Sequence, residues 1–348
     1  MKAMEFRTKV NLKPFRWKID YSMNGLSIGS CFAENIAAKL RMAKFPIVSN
    51  PFGVLYNPYT VADTIDALNR ARVFTEEDLV REGDLWSCFS FHGSFSSTDK
   101  ERALEAMNNA VAQGREALAK ADYVILTFGT AWVYELNPDY GAKDDDGENL
   151  IMRAKRIVRE MARPRIVANC HKFPAKAFSR RRLSVGEIVD IYSILFDTVL
   201  RDKLVLLSVS PVRHIKDGLE ENNLSKSTLL LAAAELAAKY ENVNYFPAFE
   251  IVNDELRDYR FYKEDMVHPS DQAVEYVWDI FGEALFTKKT AETVEEVRHI
   301  VMAAAHRPLN PESASYRRFL RSMLRKAEAL QKKHPTIDLS REIEYFGS

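Results

Sequence analysis

The chain has 348 residues, with 49 Lys and Arg against 49 Asp and Glu, so it is formally neutral. Neutrality argues against a protein built to coat nucleic acid or an anionic membrane. Three cysteines exclude a disulfide scaffold and suit a reducing compartment, and 47% apolar residues supply a sizeable core.

The length predicts about two domains, or one large α/β domain with an appendage. Residues 1–20 are basic and polar, with no apolar stretch of signal-peptide type, and no run reaches the ~18 apolar residues of a membrane span, so a cytoplasmic protein is expected. Leu26–Ile28 is a short strand candidate ending at Gly29. From Cys31 the spacing of Phe32, Ile36, Ala37 and Leu40 is helical. Phe45–Val48 is a second strand, followed by the turn-rich loop Ser49–Pro58. Thr60–Arg72 is a helix, about 79–95 an inserted hairpin, and Thr98–Lys120 a long helix. Tyr123–Phe128 (YVILTF) has the continuous apolar character of a strand buried on both faces.

About 139–165 is a polar surface excursion, and Ile166–Asn169 is a short strand. Ser184 and Glu187 form a capping-box pattern ahead of a helix through Leu200. Leu204–Val209 is a buried strand, Leu224–Tyr240 a helix, Val243–Phe246 the last strand and Ser270–Phe286 an amphipathic helix. Strands alternating with long helices imply βαβ crossovers, a mostly parallel sheet and ligands at the carboxyl ends of the strands. This domain is expected over 1–288. The tail, 289–348, reads as two helices parted at Arg307-Pro308, the second carrying Arg317, Arg318, Arg321, Arg325 and Lys326. That basic face is either a solvated surface or a patch for an acidic partner.

Two segments carry the chemistry. In Gly29-Ser30-Cys31 a strand gives way to a helix N-terminus, where N–H groups and the helix dipole favour a thiolate or an oxyanion. The same residues also fit an N-cap Ser followed by a small packed Cys. In Asp265-Met266-Val267-His268 a carboxylate three residues before an imidazole can orient it as a general base. Polar clusters after other strands, among them Gly53, Gly129-Thr130, Asn169-Cys170-His171 and Ser210–His214, outline a cleft along one sheet edge. Gly25–Gly29 also fits the G-x-S-x-G nucleophile elbow, but its Ser lies inside the strand rather than after it. Cys170, His171, Asp265 and His268 lack zinc-like spacing, and there is no P-loop or G-x-G-x-x-G, so no metal and no cofactor are expected.

The segments GSCFA (29–33), NPFGVLYNP (50–58), NCHK (169–172), SPVRH (210–214), YFPAFE (245–250) and DMVHPS (265–270) resemble those of the GSCFA family over about residues 5–286. That family is grouped with the SGNH, or GDSL-like, hydrolases. The resemblance implies a three-layer αβα sandwich on a five-stranded parallel sheet. It implies an esterase or O-acyltransferase that uses Cys31 or Ser30 as nucleophile, His268 as base and Asp265 as its orienter. Gly53 matches the glycine after strand two. Ala131 stands where the superfamily has its oxyanion-hole Asn, so Thr130 or Asn169 is expected to substitute, with His171 and Arg213 completing the binding groups. The implied partner is a small-molecule or carbohydrate ester, with no nucleic acid or membrane. The missing Asn leaves open a fold kept as a binding module without turnover.

Overall fold

The computed structural model describes residues 7–137 and 165–347. Five strands form the central sheet: β1 (Gly25–Gly29), β2 (Ile47–Ser49), β5 (Tyr123–Phe128), β9 (Leu204–Val209) and β10 (Val243–Phe246). Their order is β10-β9-β5-β1-β2 and every pairing is parallel. Parity assigns the faces. Val124, Leu126 and Phe128 join one core with Leu26, Ile28, Val205 and Leu207, while Tyr123 and Ile125 join the other with Leu206 and Phe246.

The first core is covered by α2 (Pro58–Asn69), α3 (Lys100–Lys120), α4 (Val185–Asp197) and α5 (Leu219–Lys239), the second by α1 (Cys31–Met42) and α6 (Asp271–Leu285). The chain is a three-layer αβα sandwich, as expected. Right-handed crossovers require this division, because β1→β2 runs toward one edge of the sheet and every later step runs toward the other. The reversal falls between β1 and β5, where an open α/β sheet leaves a crevice at its carboxyl edge.

Local signals set the element ends. Ser184 and Glu187 make the reciprocal capping box, with Glu187 N–H to Ser184 Oγ at 3.2 Å and Ser184 N–H to the Glu187 carboxylate at 2.8 Å. Asn57 caps α2 and Pro58 occupies its first turn, so that helix starts two residues before the expected Thr60. Ser27 sits fully buried inside β1, paired to both neighbours, which excludes the nucleophile elbow. The expected hairpin is β3 (Leu79–Glu82) and β4 (Leu85–Cys88), turning at Gly83.

Two expectations are corrected. Ile166–Val167 (β7) does not extend the central sheet. It pairs antiparallel with β6 (Trp132–Leu136), which also pairs with β8 (Phe178–Arg182), in a separate three-stranded sheet that leaves the core directly after Thr130. The tail holds three helices, not two: α7 (Lys288–Ala305), α8 (Ala314–Lys333) and α9 (Ser340–Gly347), the last two parted near Pro335. Met323, Ala327, Leu330 and Phe346 join the α1/α6 core, and Lys44 pairs with the buried Glu342 at 2.8 Å, so the tail packs as a continuation of that layer. The excursion at 139–165 lies outside the described residues except at its last position. Among the described residues no helix is long and apolar enough to cross a membrane.

Candidate active site

The site is built at the carboxyl edge, around the reversal between β1 and β5. Gly29 ends β1 at φ +151°, and its N–H donates to Asn50 Oδ1 at 2.8 Å. Asn50, itself left-handed at φ 43°, also donates its N–H to Ser27 O and accepts from Gly53 N–H at 2.7 Å. The chain then crosses the sheet edge, where the Tyr56 carbonyl accepts from Gly129 N–H (2.7 Å) and Thr130 N–H (2.9 Å). The loop 50–57 thus closes over the ends of both strands.

Ser30 and Cys31 have different environments. Ser30 is the N-cap of α1. It is buried, and its Oγ accepts from Phe32 N–H at 3.3 Å. Cys31 is half-buried at the first helical position, where its N–H has no intrahelical acceptor. Its Sγ lies 3.9 Å from the Tyr56 hydroxyl. Burial, with the thiol beside it, pushes the Tyr56 phenol up to about 12, so it is a donor at neutral pH.

Asp265 and His268 interact as the spacing predicts. Asp265 Oδ1 accepts from the N–H groups of Val267 and His268, both at 2.9 Å, which folds the turn through Met266 at φ 55°. Its Oδ2 accepts a hydrogen bond from His268 Nδ1–H at 2.7 Å. The backbone and ring bonds from His268, then the Val267 N–H, hold the Asp265 carboxyl down at about 2. With Nδ1 engaged by an ionised carboxylate, the neutral ring carries its free lone pair on Nε2, the state a general base requires. Lys263 N–H to His268 O (2.8 Å), Ser270 N–H to Phe261 O (2.7 Å) and Arg213 N–H to Val267 O (3.3 Å) fix this turn against the loop after β9.

His214 in that loop, the last residue of the polar cluster Ser210–His214, connects the two halves. Its Nε2 and the Ser30 Cβ crowd the same point beside Gly129, at 3.4 and 3.5 Å from where a Cβ would stand. Its ring meets Tyr56 edge-on at 5.9 Å. Burial pushes His214 down to about 4, and the charges of Lys226, His268 and Arg180 add to the effect. Segments near positions 30, 56, 129, 214 and 268 therefore gather at one end of the sheet.

Lys226, on α5, was not signalled by the sequence, because it occupies a buried helical position that the pattern assigns to apolar residues. It is 1% exposed and donates to Gly129 O and Ser210 O, both at 2.6 Å. It ties together the ends of β5 and β9. Loss of hydration pushes its ammonium down to about 7.

The other expected residues are placed differently. Gly53 N–H is spent on Asn50 O, so it is not a free oxyanion donor. Thr130 is buried. Its N–H is held by Tyr56 O, and its hydroxyl meets Ser225 Oγ at 3.1 Å and accepts from Trp132 N–H. Asn169 and His171 follow β7, so they lie outside the edge of the central sheet. Asn169 Oδ1 accepts from His171 N–H, and His171 Nε2 donates to Cys88 O at 2.8 Å, pinning the end of the hairpin. Arg213 lies over the Tyr262 and Tyr259 rings, its Cζ 4.3 and 5.1 Å from their centroids.

The His214 shift makes a prediction. An unfolded His takes a proton near 6.5 and the folded one does not until about 4. Folding stability is therefore present above 6.5 and lost as pH falls toward 4. The part due to His214 is on the order of 2 kcal/mol, allowing for the portion of the ring that water reaches. In urea melts between pH 7 and 4, His214→Asn should show a shallower acid loss than wild type. Parallel curves would remove His214 as the cause.

Two family models match the chain. One, described as the GSCFA family, covers residues 25–144 and 154–281. The other, described as GSCFA domain protein, C-terminal domain, covers 297–348. A comparison with curated proteins finds no match.

Proposed function

We propose that this chain, which belongs to the GSCFA family, is an acyl-transferring enzyme of SGNH type, acting on an ester of a small molecule or a carbohydrate. The observation that carries the reading is the Asp265–His268 pair at 2.7 Å, in a turn bonded to the loop of His214, which packs beside the start of α1. Cys31 is the preferred nucleophile, because the Ser30 hydroxyl is buried and engaged as a helix cap.

In this reading His268 Nε2 takes the thiol proton and Sγ bonds to the ester carbonyl carbon. The C=O π pair moves onto oxygen, held at the helix N-terminus by the Cys31 N–H. Collapse breaks the ester C–O bond, and His268 returns the proton to the leaving alcohol. Water or an acceptor alcohol then resolves the thioester, with His268 acting as base again. The chemistry requires reduced thiols, and all three cysteines are free, which accords with a cytoplasmic protein.

Short acyl esters and acetylated sugars, assayed with wild type and His268→Ala, test the proposal. A loss of about 10²–10⁴-fold in kcat/KM is expected for the variant. Equal turnover by the two proteins overturns it, and binding of the esters without turnover favours a binding module.

A further inference from the structure

We propose that the Tyr56 phenol is the oxyanion donor of this site, taking the place of the Asn that Ala131 replaces. The inference rests on the acyl-transfer reading and deepens it.

Three observations lead to it. The donors expected from the sequence at the central sheet's edge are already occupied: Gly53 N–H on Asn50 O, Thr130 N–H on Tyr56 O, and the Thr130 hydroxyl between Ser225 and Trp132, while Asn169 follows β7 of the separate sheet. The helix start offers the Cys31 N–H, and oxyanion holes generally pair such a group with a second donor. Tyr56 supplies that second donor at the reacting atom, with its hydroxyl 3.9 Å from Cys31 Sγ.

The geometry suits an oxyanion better than a thiol. In the tetrahedral adduct the charged oxygen is two bonds from Sγ, on the carbon the sulfur attacks. A hydroxyl at 3.9 Å from sulfur can reach that oxygen at a hydrogen-bond length of about 2.7–3.1 Å. The interaction is therefore weak before attack and short after it, the difference that lowers a barrier.

The phenol is also held in place beforehand. The Tyr56 carbonyl is fixed by two N–H groups from the end of β5, the next residue caps α2, and the ring packs edge-on against His214. With its proton retained to about 12, the phenol can donate but cannot serve as the base, which leaves that role to His268.

The test compares two reactions of the same thiol. Acylation by p-nitrophenyl acetate develops an oxyanion, whereas alkylation by iodoacetamide does not. Among the described residues the Tyr56 hydroxyl bonds to Cys31 alone, so Tyr56→Phe removes no bond that holds the fold. Y56F should lower the acylation rate about 10²–10³-fold with little change in KM. Alkylation of Cys31, mapped by mass spectrometry at a pH where the thiol is ionised, should stay within about threefold of wild type.

Acylation by Y56F at the wild-type rate overturns the inference. A parallel loss of both reactions also overturns it, since that marks a packing role. Should Y56F melt well below wild type, Tyr56→Leu, a second variant without a hydroxyl donor, replaces it under the same criteria. An acyl adduct absent from wild type overturns the acyl-transfer reading itself, and this inference with it.

Discussion

Cys31→Ala is expected to reduce ester turnover by at least about 10³-fold, whereas Ser30→Ala should keep activity within about tenfold of wild type. The contrast follows from what each side chain already does. Ser30 Oγ accepts from Phe32 N–H and is buried at the N-cap, so its removal costs about 1 kcal/mol of stability and no reacting atom. Cys31 carries the one side chain at the start of α1 that is both half-buried and next to a phenol donor. Steady-state hydrolysis together with the mass of a trapped acyl adduct checks both variants. An adduct on Ser30, or wild-type turnover by C31A, would falsify the assignment of the nucleophile.

Gly29→Ala should be the most damaging single substitution for folding. Gly29 sits at φ +151°, and a Cβ there would stand 2.2 Å from the Thr127 carbonyl oxygen and 2.9 Å from its nitrogen. These are backbone atoms of the neighbouring strand, paired with Gly29 itself, so relief requires β1 and β5 to part where the site is built. Backbone strain of ~1–3 kcal/mol adds to the clash, and a total loss of at least about 4 kcal/mol is expected. Gly218 provides the control. It too has positive φ (+83°), but nothing lies within 4 Å of its added Cβ, so Gly218→Ala should cost only about 1–2 kcal/mol. Urea titration of both variants measures the difference. Equal destabilisation would mean that close approach to Thr127 is not what Gly29 is for.

The sheet was legible because its strands are short and continuously apolar while its helices are long and amphipathic. YVILTF and LVLLSV each bury residues on both faces, and a pattern of that kind fits only the middle of a parallel sheet. The Asp265–His268 pair was legible because three residues of turn set its geometry locally.

What the sequence did not signal depends on contacts between distant segments. The strands β6 and β8 alternate weakly, and the arginines of FSRRR look like surface. Arg180 in fact lies over Trp132, its Cζ 4.0 Å from the ring centroid, and pairs with Asp217 at 2.5 Å. Tyr56 and His214 stood in plain turn-rich loops, with nothing local to show that the strand ends would bring them together. Lys226 is the extreme case, since a charged residue on a helix normally predicts exposure. Gly53 shows the opposite failure: the residue type was right for the turn, but its N–H was already taken by Asn50.

Lys226 has a consequence for how this site responds near neutrality. An ammonium has three N–H donors, and the free amine that remains after one proton leaves still has two. Two are enough to span Gly129 O and Ser210 O. Deprotonation can therefore switch off a buried positive field at His214 while leaving the scaffold stitched in place. Charge and shape, which most buried ion pairs tie together, are uncoupled at this site.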